Sequence, residues 1–138
     1  MAERTTVRSS NSVTRIKDIM DSLTADTTLT AADSGKTIIL DAIGEAITLP
    51  APTEGVNFKF ICGATTATSN WTIVSSTDVI YGSAQVAGAV VAGSAENTVN
   101  LVIAKFIPGD WVSLISDGTN WYAEASIVTE DGLTFTAA

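Results

Sequence analysis

The stretch that decides the fold is WVSLISDGTNWYAEA, residues 111–125. Two segments rich in aromatic and β-branched residues, Trp111–Ser116 and Trp121–Ala125, flank the tetrapeptide Asp-Gly-Thr-Asn at 117–120. Such residues favour β-strands, and Asp-Gly favours a local reversal of the backbone. The stretch therefore predicts an antiparallel β-hairpin.

The same pattern extends outward over most of the chain. From Thr24 onwards, short segments with a period of two are separated by Gly, Pro, Asp and Asn, which favour turns. Besides the hairpin, the predicted strands are Thr37–Asp41, Glu45–Leu49, Val56–Cys62, Trp71–Ser75, Val79–Tyr81, Gln85–Ala92, Thr98–Phe106 and Leu133–Thr136. Many short strands at this spacing predict an all-β fold, a β-sandwich or barrel (jelly-roll-like or tulip-like) of about 8–10 strands.

One of these strands supplies a clear core face. In Val56–Cys62, the side chains of Val56, Phe58, Phe60 and Cys62 occupy every second position and share one side. Cys62 is the only cysteine of the chain, so no intrachain disulfide can form. We expect its thiol to lie in the core as a small hydrophobic group.

The chain divides into an N-terminal segment, residues 1–23, and a β domain, residues 24–138. Residues 1–12 are small and polar, which predicts a flexible arm. In Val13–Leu23 four apolar residues recur at spacings of three, four and three, which predicts a short helix capped by Asn11 or Ser12. A helix this short is marginal alone, so it packs on the domain or associates with copies of itself.

Composition excludes several classes of function. The chain has no histidine and a single cysteine, which excludes Ser-His-Asp and Cys-His catalysis and histidine-ligated metal sites. Its carboxylate pairs lie in predicted turns, where they stay solvated. The longest apolar stretch, Val86–Ala92, is far shorter than the roughly 20 residues of a membrane span, and no secretory signal is present. We therefore expect no enzyme activity, no cofactor, no metal and no membrane partner.

Charge is distributed unevenly along the sequence. Residues 1–17 hold four basic residues and one acidic residue, a net charge of +3, whereas residues 18–138 hold three lysines and 14 acidic residues, a net charge of −11. An acidic body repels polyanions, which argues against nucleic-acid binding. The basic N-terminal segment is suited to docking on an acidic surface.

A second feature is the stretch QVAGAVVAGSA, residues 85–95, which has no charged side chain and few large ones. A β-prone stretch of this kind promotes aggregation when it is exposed on a monomer. It is therefore either buried within the domain or covered by neighbouring subunits. In the second case the predicted interface residues are Val86, Val90 and Val91.

The tryptophans leave two interpretations open. In a small β domain they fill the core or cover an edge, but aromatic side chains can also stack against sugar rings. Under the second interpretation Trp71, Trp111 and Trp121 form a glycan-binding surface.

Several spaced motifs together resemble a known class of proteins. They are Asp33-x-Gly35-Lys36, Ile47-Thr48-Leu49-Pro50-x-Pro52, Phe58-x-Phe60, Ile80-x-Gly82, Gly109-Asp110-x-Val112 and Asp117-Gly118-x-Asn120-Trp121. Over residues 24–126 the chain resembles small β domains of tailed-bacteriophage structural proteins, notably head decoration (cement) proteins and modules of head or tail fibres. The resemblance implies a trimer-forming domain that binds the outside of a capsid or forms part of a fibre. None of these motifs carries a catalytic residue.

The resulting expectation is a structural virion protein, made in the host cytoplasm, that binds the outer capsid surface and bridges neighbouring major capsid subunits. The predicted capsid contacts are the basic residues Arg4, Arg8, Arg15 and Lys17. The alternative is a phage fibre or receptor-binding module that recognises host glycans through the tryptophans.

Overall fold

The structure is a computed structural model that describes residues 19–21, 23 and 25–138. These residues form twelve strands and one short 3-10 turn, Ala31–Asp33. The strands are β1 (Ile19–Asp21), β2 (Thr27–Thr28), β3 (Thr37–Leu40), β4 (Ala46–Thr48), β5 (Asn57–Cys62), β6 (Trp71–Val74), β7 (Ile80–Val86), β8 (Ala89–Glu96), β9 (Thr98–Leu101), β10 (Trp111–Ser116), β11 (Trp121–Ile127) and β12 (Leu133–Thr136).

The strands form two mixed sheets that pack against each other. The larger sheet has seven strands in the order β1-β3-β5-β10-β11-β7-β8, and the smaller has five in the order β12-β9-β6-β4-β2. Strands β1, β3 and β5 run parallel, as do β7 and β11, and as do β2, β4 and β6. The fold is therefore an all-β sandwich, as the sequence predicts.

The predicted hairpin is confirmed as β10–β11, with Leu114 opposite Ala123. Its turn is held by Asp117, whose Oδ1 accepts hydrogen bonds from the backbone N–H groups of Thr119 and Asn120, both at 2.8 Å. Its Oδ2 accepts a third from the Tyr122 hydroxyl at 2.9 Å. These hydrogen bonds, led by that from Asn120, hold the pKa of Asp117 below its usual value because they favour the charged carboxylate.

The core lies between the sheets and includes the predicted face of β5. Phe58, Phe60 and Cys62 are buried there, with Val56 just before the strand. The opposite sheet contributes Trp71 and Ile73 from β6. Strands β4, β9 and β12 of the same sheet add the buried side chains of Ile47, Val99, Leu101 and Leu133.

Two predictions about the N-terminal segment need comment. The predicted helix Val13–Leu23 lies mostly outside the described residues, but its described part, Ile19–Asp21, is strand β1 and not helix. β1 runs parallel to β3, with Met20 opposite Ile38. Pairing with a sheet edge outweighs a helical spacing of apolar residues that supports only a marginal helix. The sheet therefore begins before residue 24, the predicted start of the β domain.

The predicted single strand Gln85–Ala92 is in fact the junction of two strands. β7 and β8 form a hairpin in which Val86 lies opposite Ala89, so the two-residue loop is Ala87-Gly88. Both loop residues have positive φ, 51° at Ala87 and 84° at Gly88, as the favoured two-residue hairpin turn requires. Alanine rarely adopts that conformation, so the sequence did not signal the turn.

Candidate functional site

The predicted capsid contacts cannot be placed, because Arg4, Arg8, Arg15 and Lys17 lie outside the described residues. The three described lysines all interact with other groups of their own chain. Lys36 Nζ lies 2.9 Å from Asp33 Oδ1, and Lys105 Nζ lies 3.6 Å from Asp131 Oδ2. Lys59 Nζ lies 4.8 Å from the centre of the Trp111 ring. Over residues 25–138, the surface therefore offers little free positive charge to an anionic partner.

The tryptophans divide between core and surface, which corrects the predicted glycan-binding set. Trp71 and Trp121 are fully buried, so neither ring can stack on a ligand. Trp71 Nε1 donates a hydrogen bond to the Asp41 carbonyl oxygen at 2.9 Å, whereas Trp121 Nε1 has no hydrogen-bond partner among the residues that the structure describes. Trp111 alone stays on the surface, half-buried and covered on one side by Lys59.

Trp111 belongs to the outer face of the seven-stranded sheet. It lies opposite Ile61, which in turn lies opposite Ile39, so three large side chains form a row across β3, β5 and β10. At the other end of β10, Ile115 lies opposite Tyr122, and both side chains are exposed. Trp111 and Ile115 are four residues apart, roughly 13 Å along a strand. Trp111 and Tyr122 are therefore too far apart to stack against one sugar ring.

The uncharged stretch 85–95 spans the β7–β8 hairpin at one edge of this sheet, and its valines differ in exposure. Val86 is 4% exposed and belongs to the core of its own chain, so its side chain cannot contact a neighbour as predicted. Val91 is half-buried against the same core. Val90 is 70% exposed. Within the described part of the chain, β8 pairs with β7 and with no other strand.

Three carboxylates, Asp26, Asp41 and Glu45, lie close together near the start of β4. Partial burial, and then the charges of Asp26 and Asp41, raise the pKa of Glu45 above its usual value. Two of the three bind their own backbone: Asp26 Oδ1 accepts from the Ala46 N–H, and Asp41 Oδ1 from the Ile43 N–H, each at 2.9 Å. The group therefore serves the local loop structure.

Asp110 is a buried carboxylate whose role the sequence did not reveal. Its Oδ2 accepts a hydrogen bond from the Ile107 N–H at 3.0 Å, and its Oδ1 accepts one from the Val128 N–H at 3.1 Å. It thereby connects the turn before β10 to the residue after β11. The flanking Pro108-Gly109 indicated a turn, but nothing local indicated the contact with Val128.

The thiol of Cys62 is buried and faces backbone carbonyl groups. Its Sγ lies 3.1 Å from the Ala64 oxygen and 3.4 Å from the Phe106 oxygen. Burial raises the pKa of the thiol from 9.0 to about 11, and the charge of Asp110 adds to this. Because the thiolate is the nucleophile, the folded protein holds an unreactive cysteine at neutral pH.

We therefore expect Cys62 in the native protein to react with a thiol reagent at pH 8 only as fast as unfolding exposes it. In guanidinium chloride, where the chain is unfolded, Cys62 should react at once. The folded thiol keeps its proton between pH 9 and about 11, where the unfolded thiol loses it, so this group makes stability fall as pH rises through that range. Absorbance after addition of a disulfide reagent measures the reaction, and a Cys62→Ala variant is the blank. Rapid stoichiometric labelling of the native chain would contradict the burial of this thiol.

Among residues 19–21, 23 and 25–138, no three acidic or cysteine side chains converge in a way that could hold a metal ion. The described part of the chain also has no helix long and apolar enough to cross a membrane. Comparison of the chain with known protein families, with curated proteins and with solved structures finds no match.

Proposed function

We propose that this chain is a structural virion protein: a decoration protein that binds the outer surface of a tailed-phage head and bridges neighbouring major capsid subunits. The observation that carries the proposal is the long edge strand β8, which has no charged side chain before its last residue, Glu96, on an otherwise acidic sandwich, because it provides a surface for assembly. The resemblance of residues 24–126 to phage decoration domains specifies the kind of assembly, and implies a homotrimer.

In this proposal the two parts of the chain have different roles. The sandwich carries most of the acidic residues, and its three lysines are already engaged within the chain. The basic residues Arg4, Arg8, Arg15 and Lys17 therefore make the contacts with carboxylates of the shell, where the arginine fork can pair bidentately. Each contact is weak, but several N-terminal segments on one oligomer bind together through a high effective concentration.

Deletion of residues 1–12 tests this division of roles. We expect the truncated protein to keep its fold and oligomeric state. Its affinity for capsids that carry no decoration protein should be roughly tenfold lower than that of the full-length protein, because each oligomer loses several ion pairs. Co-sedimentation with expanded capsids measures binding, and a full-length Arg4→Ala, Arg8→Ala double variant separates charge from length. Raising the salt concentration should weaken the full-length protein more than the truncated one. Equal binding with equal salt dependence would show that the N-terminal segment is not the anchor.

The second candidate function is a fibre or receptor-binding module. The observation that favours it is the exposed outer face of the seven-stranded sheet, which carries Trp111 and Tyr122. Binding of the protein to host cells or glycans, abolished by Trp111→Ala, together with no binding to capsids, would favour this function over decoration.

A further inference from the structure

We propose that the free edge of β8 pairs through main-chain hydrogen bonds with an edge strand of a second copy of this chain. The inference concerns the subunit contact of the proposed oligomer, and it rests on the proposed function only for the expectation that copies associate. It replaces the predicted side-chain interface of three valines by a contact between backbones.

The direction of the backbone amides in β7 shows which groups of β8 are free. The Ala87 N–H, just after β7, donates a hydrogen bond to the Ile127 carbonyl oxygen at 2.9 Å, so this N–H group points toward β11. Amide directions alternate along a strand, so those of Ala84 and Val86 point the other way, toward β8. Their partners Val91 and Ala89 point back toward β7.

By the same alternation, the N–H and C=O groups of Val90 and Ala92 point away from β7. Within the described residues no strand is hydrogen-bonded to β8 on that side. Strand β12 of the other sheet lies close to β8, with the Phe135 ring against Gly93, beyond Val90 and Ala92. The Val90 side chain is 70% exposed as well. The edge therefore presents main-chain donors and acceptors in the alternating arrangement that an added strand needs.

β8 also differs from the other three edge strands of the described residues. β1 has three residues, β2 two and β12 four, whereas β8 has eight. Proteins protect open edges by shortness, lysine, proline or a bulge. β8 has no lysine or proline, and its irregularity lies opposite Ile80–Gly82, at its far end. Among the described residues it is the longest open edge.

Charge favours a copy of the same chain as the occupant. No charged residue occurs between Asp78 and Glu96, although the chain as a whole carries a net charge of −8. Two copies repel each other wherever their acidic surfaces meet, but this uncharged hairpin is free of that repulsion. The exposed side chains of β8, Val90, Ala92 and Ser94, are uncharged, so none of them repels a strand added at this edge.

The experiment is sedimentation velocity at micromolar concentration with substitutions at one edge position and at its cross-strand neighbour. Ala92→Lys places a charge on the edge, and Ser83→Lys places the same charge directly opposite on β7, away from the edge. Ala92→Pro removes the outward N–H, which an edge strand tolerates in its own sheet. We expect the wild type and Ser83→Lys to be oligomers, and the dissociation constant of the oligomer to be at least tenfold higher in both Ala92 variants. Melting temperatures show that each variant is folded.

Two results would overturn the inference: a monomeric wild type, or Ala92 variants that stay as oligomeric as Ser83→Lys. In a dimer β8 would pair with β8 of the second chain, and in a trimer it would pair with a different edge strand of the neighbouring chain. Either result supports pairing of β8 with a second copy. Binding to capsids is a separate readout. An oligomer that forms through β8 but binds no capsid refutes the proposed function alone. Oligomeric Ala92 variants that fail to bind capsids refute the inference, because β8 then contacts the shell.

Discussion

Replacement of Trp121 by alanine should lower the free energy of unfolding by about 3–5 kcal/mol, the usual cost of deleting a large buried aromatic side chain. Trp121 is fully buried at the start of β11, with its ring centre 5.9 Å from that of Phe58. Loss of the ring leaves a cavity in the core between the two sheets. Since small proteins are stable by only about 5–15 kcal/mol, we expect a fall of roughly 10–20 °C in melting temperature. Thermal unfolding followed by circular dichroism measures it.

The matched control is Trp111→Ala, which deletes the same side chain from the outer face of the same sheet. Trp111 is half-buried and contacts Lys59, so we expect it to cost much less, about 1 kcal/mol. Equal losses at the two positions would contradict the assignment of Trp121 to the core and Trp111 to the surface.

Phenylalanine substitutions separate the two buried tryptophans from each other. Trp71→Phe removes the hydrogen bond to the Asp41 carbonyl, whereas Trp121→Phe removes an N–H that has no partner within the described part of the chain. The first should therefore be the more destabilising by about 1 kcal/mol, the usual net value of one hydrogen bond.

The local parts of the fold could be predicted from the sequence because their causes are local. Two strand-like segments with Asp117-Gly118 between them specified the β10–β11 hairpin, since Asp117 holds the turn with its own side chain. The buried face of β5 followed from Phe58, Phe60 and Cys62 at every second position. The all-β class followed from the number and spacing of such segments.

The parts that depend on distant pairing could not be predicted. Residues 19–21 form a strand only because β3 offers them an edge, and β3 lies about 18 residues further along the chain. The β7–β8 turn has alanine where asparagine or aspartate would have signalled positive φ. Parallel pairs such as β7–β11 bring together strands that are far apart in sequence, so no single turn between them signals the pairing.

The candidate site shows the same division. That residues 85–95 are uncharged is visible in the sequence, but whether they are core or edge depends on the sheet order, which places β8 last. The exposure of Trp111 was equally undecided, because in β10 both sets of alternating positions are apolar: Val112 and Leu114 on one side, Trp111 and Ile115 on the other. Pairing with β11, whose Glu124 is exposed and lies opposite Ser113, decides which side faces solvent.

Replacement of Asp110 by alanine should have the second large effect, a loss of about 2–4 kcal/mol in the free energy of unfolding. The carboxylate is buried and accepts hydrogen bonds from the Ile107 and Val128 N–H groups, which belong to segments 21 positions apart in sequence. Bonds to a charged acceptor are stronger than neutral ones, and alanine leaves both donors without this partner. Denaturant unfolding gives the change in free energy.

The informative comparison is Asp110→Asn with Glu124→Gln, because both variants remove one negative charge and keep the volume of the side chain. The amide group introduced by Asp110→Asn can accept a hydrogen bond from one backbone N–H but must turn its own NH₂ toward the other. We therefore expect its free energy of unfolding to lie between that of Asp110→Ala and that of the wild type. Glu124 is exposed on the outer face of β11, so its replacement should change stability by no more than about 0.5 kcal/mol. If the two charge-removing variants were equally stable, the buried carboxylate of Asp110 would contribute no more to stability than an exposed one, and its connection from the β10 turn to Val128 would not contribute to folding.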